Sequence, residues 1–328
     1  MNEQLANLIR AYQATVYEAV ALMHRSGIRM PASNRWWIKT DIPHKGLLDG
    51  DIGYLKHGIG CTVYLPSGAV DFDFGRLGEI NGFDSWRLYL FAGEKLSTYG
   101  FDSQDSLERC FEMAVTKGDL VGSDDSLFYV TNLTRALAVD IDSRLPGDSL
   151  PARNLDLVLT LDTHYFQAAD LMFENYTSLY LRWEKNNSLS HRKFVDLRIY
   201  MSSWLGFLAV TCEGFEKLKM NLLLQKDRPP PFQDLIIKSN AVGKLIKRHR
   251  DALRELRNKT FHLRDEPETL RRFFAPEAER LPWAKELHEA FKVFFSAYRV
   301  ECEVHYLHNG RRGELRITRE PPQRYQPW

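Results

Sequence analysis

The sequence around residue 257 reads Leu253-Arg254-Glu255-Leu256-Arg257-Asn258-Lys259-Thr260-Phe261-His262. Cutting RNA without a metal requires a base for the 2′-hydroxyl or an acid for the leaving oxygen. Histidine titrates near neutral pH and can serve in either role. The transition state gathers negative charge, and a guanidinium stays protonated and offers paired donors to it. Asn258 lies one turn before His262, so the two share a helix face. It can orient the imidazole or bind a phosphate oxygen. Arg257 precedes His262 by five residues, about 140° around an ideal helix. One copy of the motif therefore does not converge on one phosphate.

Spacing alone is weak evidence, because Arg299 and His305 satisfy a loose Arg…His pattern as well. A chain of this composition holds roughly two such loose matches by chance, but only a few hundredths of an Arg-Asn-x-x-x-His match. The second pair has Val300 where the first has Asn258. Lys244, Lys247, Arg248, Arg250, Arg254 and Lys259 surround the motif. Such a run is either a phosphate track or a solvated helix face. Glu213 and Glu216 stand on an earlier helix, and Glu213 can pair with Arg257 or polarise His262; an ordinary interhelix ion pair reads equally well. His305 and His308 have metal-like spacing without an evident third ligand, so no metal or other cofactor is expected. His249 is read as a residue of the core edge.

In the first part of the chain, Val70-Asp71-Phe72-Asp73-Phe74 alternates as a strand does. Asp71 and Asp73 then share one face, with His57 expected near it. That face is either a polar binding surface or a solvated one. Gly60-Cys61 followed by Asp71-x-Asp73 also approximates the Gly-Ser…Asp-x-Asp pattern of nucleotidyltransferases. Cysteine replaces the serine, however, and a hairpin is predicted where that fold has a helix.

These groups must be positioned by two different kinds of structure. Residues 3–25 keep apolar residues at helical spacing (Leu5, Leu8, Ile9, Tyr12, Val16, Ala19, Val20, Met23), and Ser26-Gly27 ends the run. Pro66-Ser67-Gly68 between β-rich runs predicts a hairpin. Trp86 to Phe91 is read as a third strand, and Ser103 as the cap of a helix near 105–116. The fold class is α+β: a small α+β domain over 1–131, a Pro/Gly-rich linker over 132–153, an all-α helical bundle over 154–310 and a tail over 311–328. The bundle is read as helices near 155–184, 190–224, 232–262 and 282–307.

Of 328 residues, those from 154 onward carry 29 Lys+Arg against 23 Asp+Glu (+6), and the rest carry 15 against 20 (−5). Two units with different partners are expected. No run of about 18 apolar residues and no signal-peptide pattern is present, and four cysteines stand far apart. These features predict a reduced, cytoplasmic protein without membrane contact.

The motif and the helix order resemble the HEPN family over residues 155–308, with Arg257, Asn258 and His262 at its signature positions. The resemblance implies a metal-independent endoribonuclease of toxin or phage-defence type. It implies a homodimer whose two motifs face each other, with products ending in 2′,3′-cyclic phosphate and 5′-hydroxyl. His57-Gly58-Ile59-Gly60-Cys61, Val70 to Gly75 and Gly82 to Leu88 are similar to a bacterial domain family of unknown function, over residues 3–131. That unit is expected to sense a trigger, select the target or restrain the nuclease, with a regulatory protein as a possible partner. Two alternatives stay open: a non-catalytic RNA- or protein-binding bundle with an immunity-like first domain, and a nucleotidyltransferase-like first domain acting on the bundle.

Overall fold

The computed structural model describes residues 1–123, 126–261 and 271–316, with backbone alone at 259–261 and 276. The chain forms two compact units. One comprises Met1–Leu145 with the chain from Tyr306 onward, and the other Pro146–His305.

Helix α1 (Glu3–Arg25) centres the first unit, and the eight apolar residues predicted to face inward are its buried set. The Asn2 side chain caps its start by accepting from Gln4 N–H at 2.9 Å. Gly27 follows its end at φ +98°, a conformation that suits glycine. After a short helix α2 (Asn34–Lys39), an antiparallel sheet packs beside α1 in the order β1 (Lys45–Leu48), β2 (Ile52–His57), β3 (Gly60–Leu65), β4 (Gly68–Asp73). β3 and β4 are the predicted hairpin, with Thr62 opposite Asp71 and Val63 opposite Val70. Alternation buries Val63, Val70 and Phe72 against α1 and leaves Thr62, Asp71 and Asp73 on the other face. Each fully buried aliphatic or aromatic side chain contributes about 1.5–3 kcal/mol.

The expected strand over Trp86–Phe91 is instead helix α3 (Ser85–Ala92). Asp84 accepts from Arg87 N–H at 2.7 Å, so a cap opens the segment. Leu88 and Ala92, one turn apart, are its buried residues. The sheet takes β1 and β2 from the glycine-rich stretch before residue 58 instead. Helix α4 (Gln104–Thr116) begins at Ser103 as predicted, in a capping box with Ser106. A two-stranded ribbon, β5 (Leu120–Gly122) and β6 (Phe128–Val130), follows. Ala138 N–H then donates to Gly78 O at 2.8 Å, so residues beyond β6 stay with this unit.

Gly78 adopts φ +76°, and a Cβ there would strike the carbonyl oxygen of Pro31. Gly78→Ala is therefore expected to destabilise the first unit by at least about 2 kcal/mol, read as a lower urea midpoint. An unchanged midpoint would refute the packing described here.

The second unit is helical: α5 (Leu157–Leu161), α6 (Gln167–Asn186), α7 (His191–Lys217), α8 (Met220–Lys226), α9 (Ile236–Phe261) and α10 (Arg280–His308). A π turn over Asp162–Phe166 joins α5 to α6. The helix expected over 190–224 breaks where Lys219 turns left-handed at φ +48°. The break lets Met220 and Leu224 turn inward. Phe215 packs edge-to-face on Phe291 and Phe294 in the core. Trp204 Nε1–H donates to His288 Nδ1 at 3.2 Å, and His288 Nε2 lies 2.9 Å from Asp170 Oδ1. Asp156, Arg228 and Tyr298 form a second buried network, with Arg228 Nη2 3.0 Å from Asp156 Oδ1 and Tyr298 Oη 2.7 Å from Asp156 Oδ2. α9 bends at His249 (φ −141°, ψ 26°). One turn before the bend, the Leu245 carbonyl accepts from Trp283 Nε1–H at 2.8 Å. His249 is half-buried against the Trp283 ring, at the core edge as expected.

Among the described residues no helix is long and apolar enough to cross a membrane. All four cysteines are free and buried. Burial pushes the Cys61 thiol up to about 12, far from a reactive thiolate.

Candidate functional site

Beyond its bend, α9 anchors itself through the buried Leu253 and Leu256. Arg250, Arg254 and Arg257 stand at i, i+4 and i+7, on the stripe that meets α7. There Glu216 accepts from Arg250 Nη1 at 3.2 Å, and Glu213 Oε2 accepts from Arg257 Nη1 at 3.1 Å. Arg254 Nε lies 3.8 Å from Glu213 Oε1. That buried oxygen makes no hydrogen bond within the described structure. Arg250 Nε also lies 3.4 Å from Asp251 Oδ1, so the three cations of the ladder are matched by three carboxylates.

Asn258 Oδ1 accepts from both Nε and Nη2 of Arg257, at 3.1 and 2.7 Å. A guanidinium offers only donors, so the Asn258 oxygen must face it and its amino group must face away. Of five guanidinium N–H groups, three are engaged in these contacts. Among the described residues the other two meet no acceptor, and the fork is held from two sides. The side chain is 24% exposed, so it is reachable but partly shielded from water.

The structure thus brings together Arg257, Asn258 and Glu213. His262 lies outside the described residues, and the side chain of Lys259 is not described. Lys244 and Lys247 are exposed on the first segment of α9. Arg248 is drawn to Glu286 at 3.0 Å. The look-alike pair is engaged elsewhere: Arg299 holds the buried Asp162, and His305 Nε2 lies 2.8 Å from Asp148 Oδ1. Among the described residues no group of three or more His, Cys, Asp or Glu is placed to hold a metal ion.

A second polar cluster lies on the outer sheet face of the first unit. His57 Nε2 is 2.7 Å from Asp71 Oδ2, which also accepts from Thr62 Oγ1 at 2.7 Å. Arg87, from α3, reaches Asp71 at 3.0 Å and Asp73 at 2.7 Å, and also binds its cap residue Asp84. His57 falls beside Asp71 and Asp73 as expected. Arg87 was missed because its segment reads as a strand; Asp84-Ser85 ahead of Leu88 and Ala92 is the signal that places it on a helix. Thr62 to Val70 lies in the β3–β4 hairpin, not the helix of a nucleotidyltransferase. The hydrogen bond to Asp71 raises the His57 pKa. Burial works to raise the Asp71 carboxyl, but hydrogen bonds from His57 and Thr62 bring it below the usual range. Burial raises Asp73, against the pull of Arg87.

His57 contributes most to stability below its unfolded pKa of about 6.5, and that contribution is lost as pH rises through the higher folded value. Ring-proton NMR is expected to show His57 titrating above the ordinary histidine range, and Asp71→Asn to lower its midpoint. A His57 midpoint unmoved by Asp71→Asn would contradict the pairing.

No curated protein and no solved structure matches the chain. Residues 5–130 match a family described as a domain of unknown function (DUF6896).

Proposed function

We propose that the chain is a metal-independent endoribonuclease of the toxin or phage-defence type. Its working site is completed by a second copy across a dimer. The observation that carries this reading is the presentation of Arg257: partly buried, held by Glu213 and Asn258, with two N–H groups left for phosphate oxygens. A fork fixed before the substrate arrives stabilises developing charge without reorganising. His262, the residue directly after the described end of α9, removes the 2′-hydroxyl proton or protonates the leaving 5′-oxygen. The 2′-oxygen attacks phosphorus, the bond to the 5′-oxygen breaks, and the products carry 2′,3′-cyclic phosphate and 5′-hydroxyl ends. The amino group of Asn258 binds a non-bridging oxygen. The spare acceptor on Glu213 suits an imidazole N–H. Lys244 and Lys247 extend the positive path for RNA.

The DUF6896-like unit, acidic where the bundle is basic, serves as sensor or restraint. A second reading, a non-catalytic RNA- or protein-binding bundle, is favoured by the fact that Arg257 is already paired with Glu213 as in many structural ladders. Incubating total RNA with the full chain in EDTA, then mapping fragment ends, separates the two. The nuclease reading expects cyclic phosphate and 5′-hydroxyl termini. Fragments with 5′-phosphate ends would reject it, and intact RNA would move the assay to residues 154–328 alone, where a restraint by the first unit no longer acts.

A further inference from the structure

From Thr177 to Ser203 the second unit contains no buried residue. This stretch is the distal half of the α6–α7 hairpin, ten residues of α6 and the first thirteen of α7. By the 1.5 Å rise per residue the two halves extend about 15–20 Å. Isolated helices of this length are marginal in water, so an arm this free of buried contacts is suited to an external partner.

Its composition selects that partner. The arm carries Arg182, Lys185, Arg192, Lys193 and Arg198 against Glu184 and Asp196, five cations to two anions, a net +3. Among the described residues none of those five cations enters an ion pair. On α9, by contrast, Arg248, Arg250, Arg254 and Arg257 are drawn to carboxylates. Unpaired cations thus stand together on the arm, as the exposed Lys244 and Lys247 do on the first segment of α9. Aromatic rings stand among these charges: Trp183 is 38% exposed and Phe194 47%. Trp183 continues a ladder through Tyr180, 5.7 Å away, whose ring faces the Lys285 ammonium at 5.2 Å. Along α7 the arm leads to Glu213, the residue that holds Arg257, about 15 Å from Ser203 by helical rise.

We propose that this arm binds single-stranded RNA, with Trp183 and Phe194 as stacking platforms and its five unpaired cations neutralising phosphates. Rings interleaved with cations suit unpaired bases on a flexible backbone. Two copies of the arm would bring like charges together, which disfavours a second copy as its occupant. The inference deepens the nuclease reading by naming where substrate docks, yet binding does not require cleavage.

The test is fluorescence anisotropy of the full chain with a labelled, unstructured 2′-O-methyl RNA of about 20 nucleotides, which cannot be cut at the 2′-hydroxyl, across a salt series. Trp183→Ala with Phe194→Ala is expected to weaken binding about tenfold or more with the salt slope kept. Arg192→Glu, Lys193→Glu and Arg198→Glu together are expected to weaken it at least as much and to flatten the log–log salt slope by about 2. Circular dichroism and the elution volume should match wild type. Wild type that fails to bind, or variants that bind as wild type does, would overturn the proposal. So would variants that turn a dimer into monomers while keeping RNA affinity, because the arm would then hold a second copy. Cleavage of ordinary RNA by Arg257→Ala separates the two readings: retained cleavage removes the motif's role and leaves the arm's affinity standing.

Discussion

Arg257→Ala is expected to reduce metal-independent RNA cleavage by two to three orders of magnitude, the usual effect of removing one preorganised donor from a developing oxyanion. The fold should persist, because Arg257 sits at the core's margin and not within it. Arg257→Lys should recover little, since an ammonium cannot reach Glu213, Asn258 and a phosphate in one plane as the fork does. Glu213→Gln removes the charge that aims the fork while leaving the chain well packed. Its expected loss is smaller, about tenfold, in initial rates measured with EDTA present. Arg257→Ala at wild-type rate would show the ladder to be merely structural.

The second large effect concerns stability. Asp156 is fully buried and Arg228 nearly so, and Tyr298 bonds to both. Removing one partner leaves a charge without its counter-charge in the interior, at a cost of about 3–5 kcal/mol. Arg228→Ala should therefore lower the urea midpoint of the second unit severely. Arg312→Ala, which breaks the exposed pair with Asp49, should change stability by less than about 1 kcal/mol. Similar effects from the two substitutions would contradict the burial described for Arg228. Together the variants separate an arginine that holds the bundle from one, Arg257, that is proposed to meet RNA.

Periodicity made α1 legible residue by residue, because a long helix with one buried stripe repeats its signal six times. The β3–β4 hairpin was legible because Pro66-Ser67-Gly68 interrupts two alternating runs. Trp86 to Phe91 misled because six residues are too few for a helical period to assert itself over aromatic, β-favouring composition. Asp84, outside that window, decided the outcome. The breaks at Lys219 and His249 are set by tertiary contacts, Met220 and Leu224 in one case and Trp283 in the other, which no local pattern encodes. The pairing of Arg257 with Glu213 could be anticipated but not chosen, since it joins residues 44 apart in sequence. The unburied arm was invisible for a plainer reason. Trp183, Phe194 and Ile199 look like core residues in any sequence, and only the folded chain leaves them exposed.

The proposed cleavage depends on His262. Its most direct test is cleavage of total RNA in EDTA by the full chain, compared with His262→Ala and His305→Ala. His305 lies in the competing motif but is held by Asp148, so it serves as the control. Loss of cleavage in His262→Ala alone is the predicted result. Cleavage that survives His262→Ala, or that disappears only in His305→Ala, would contradict the assignment of the active motif.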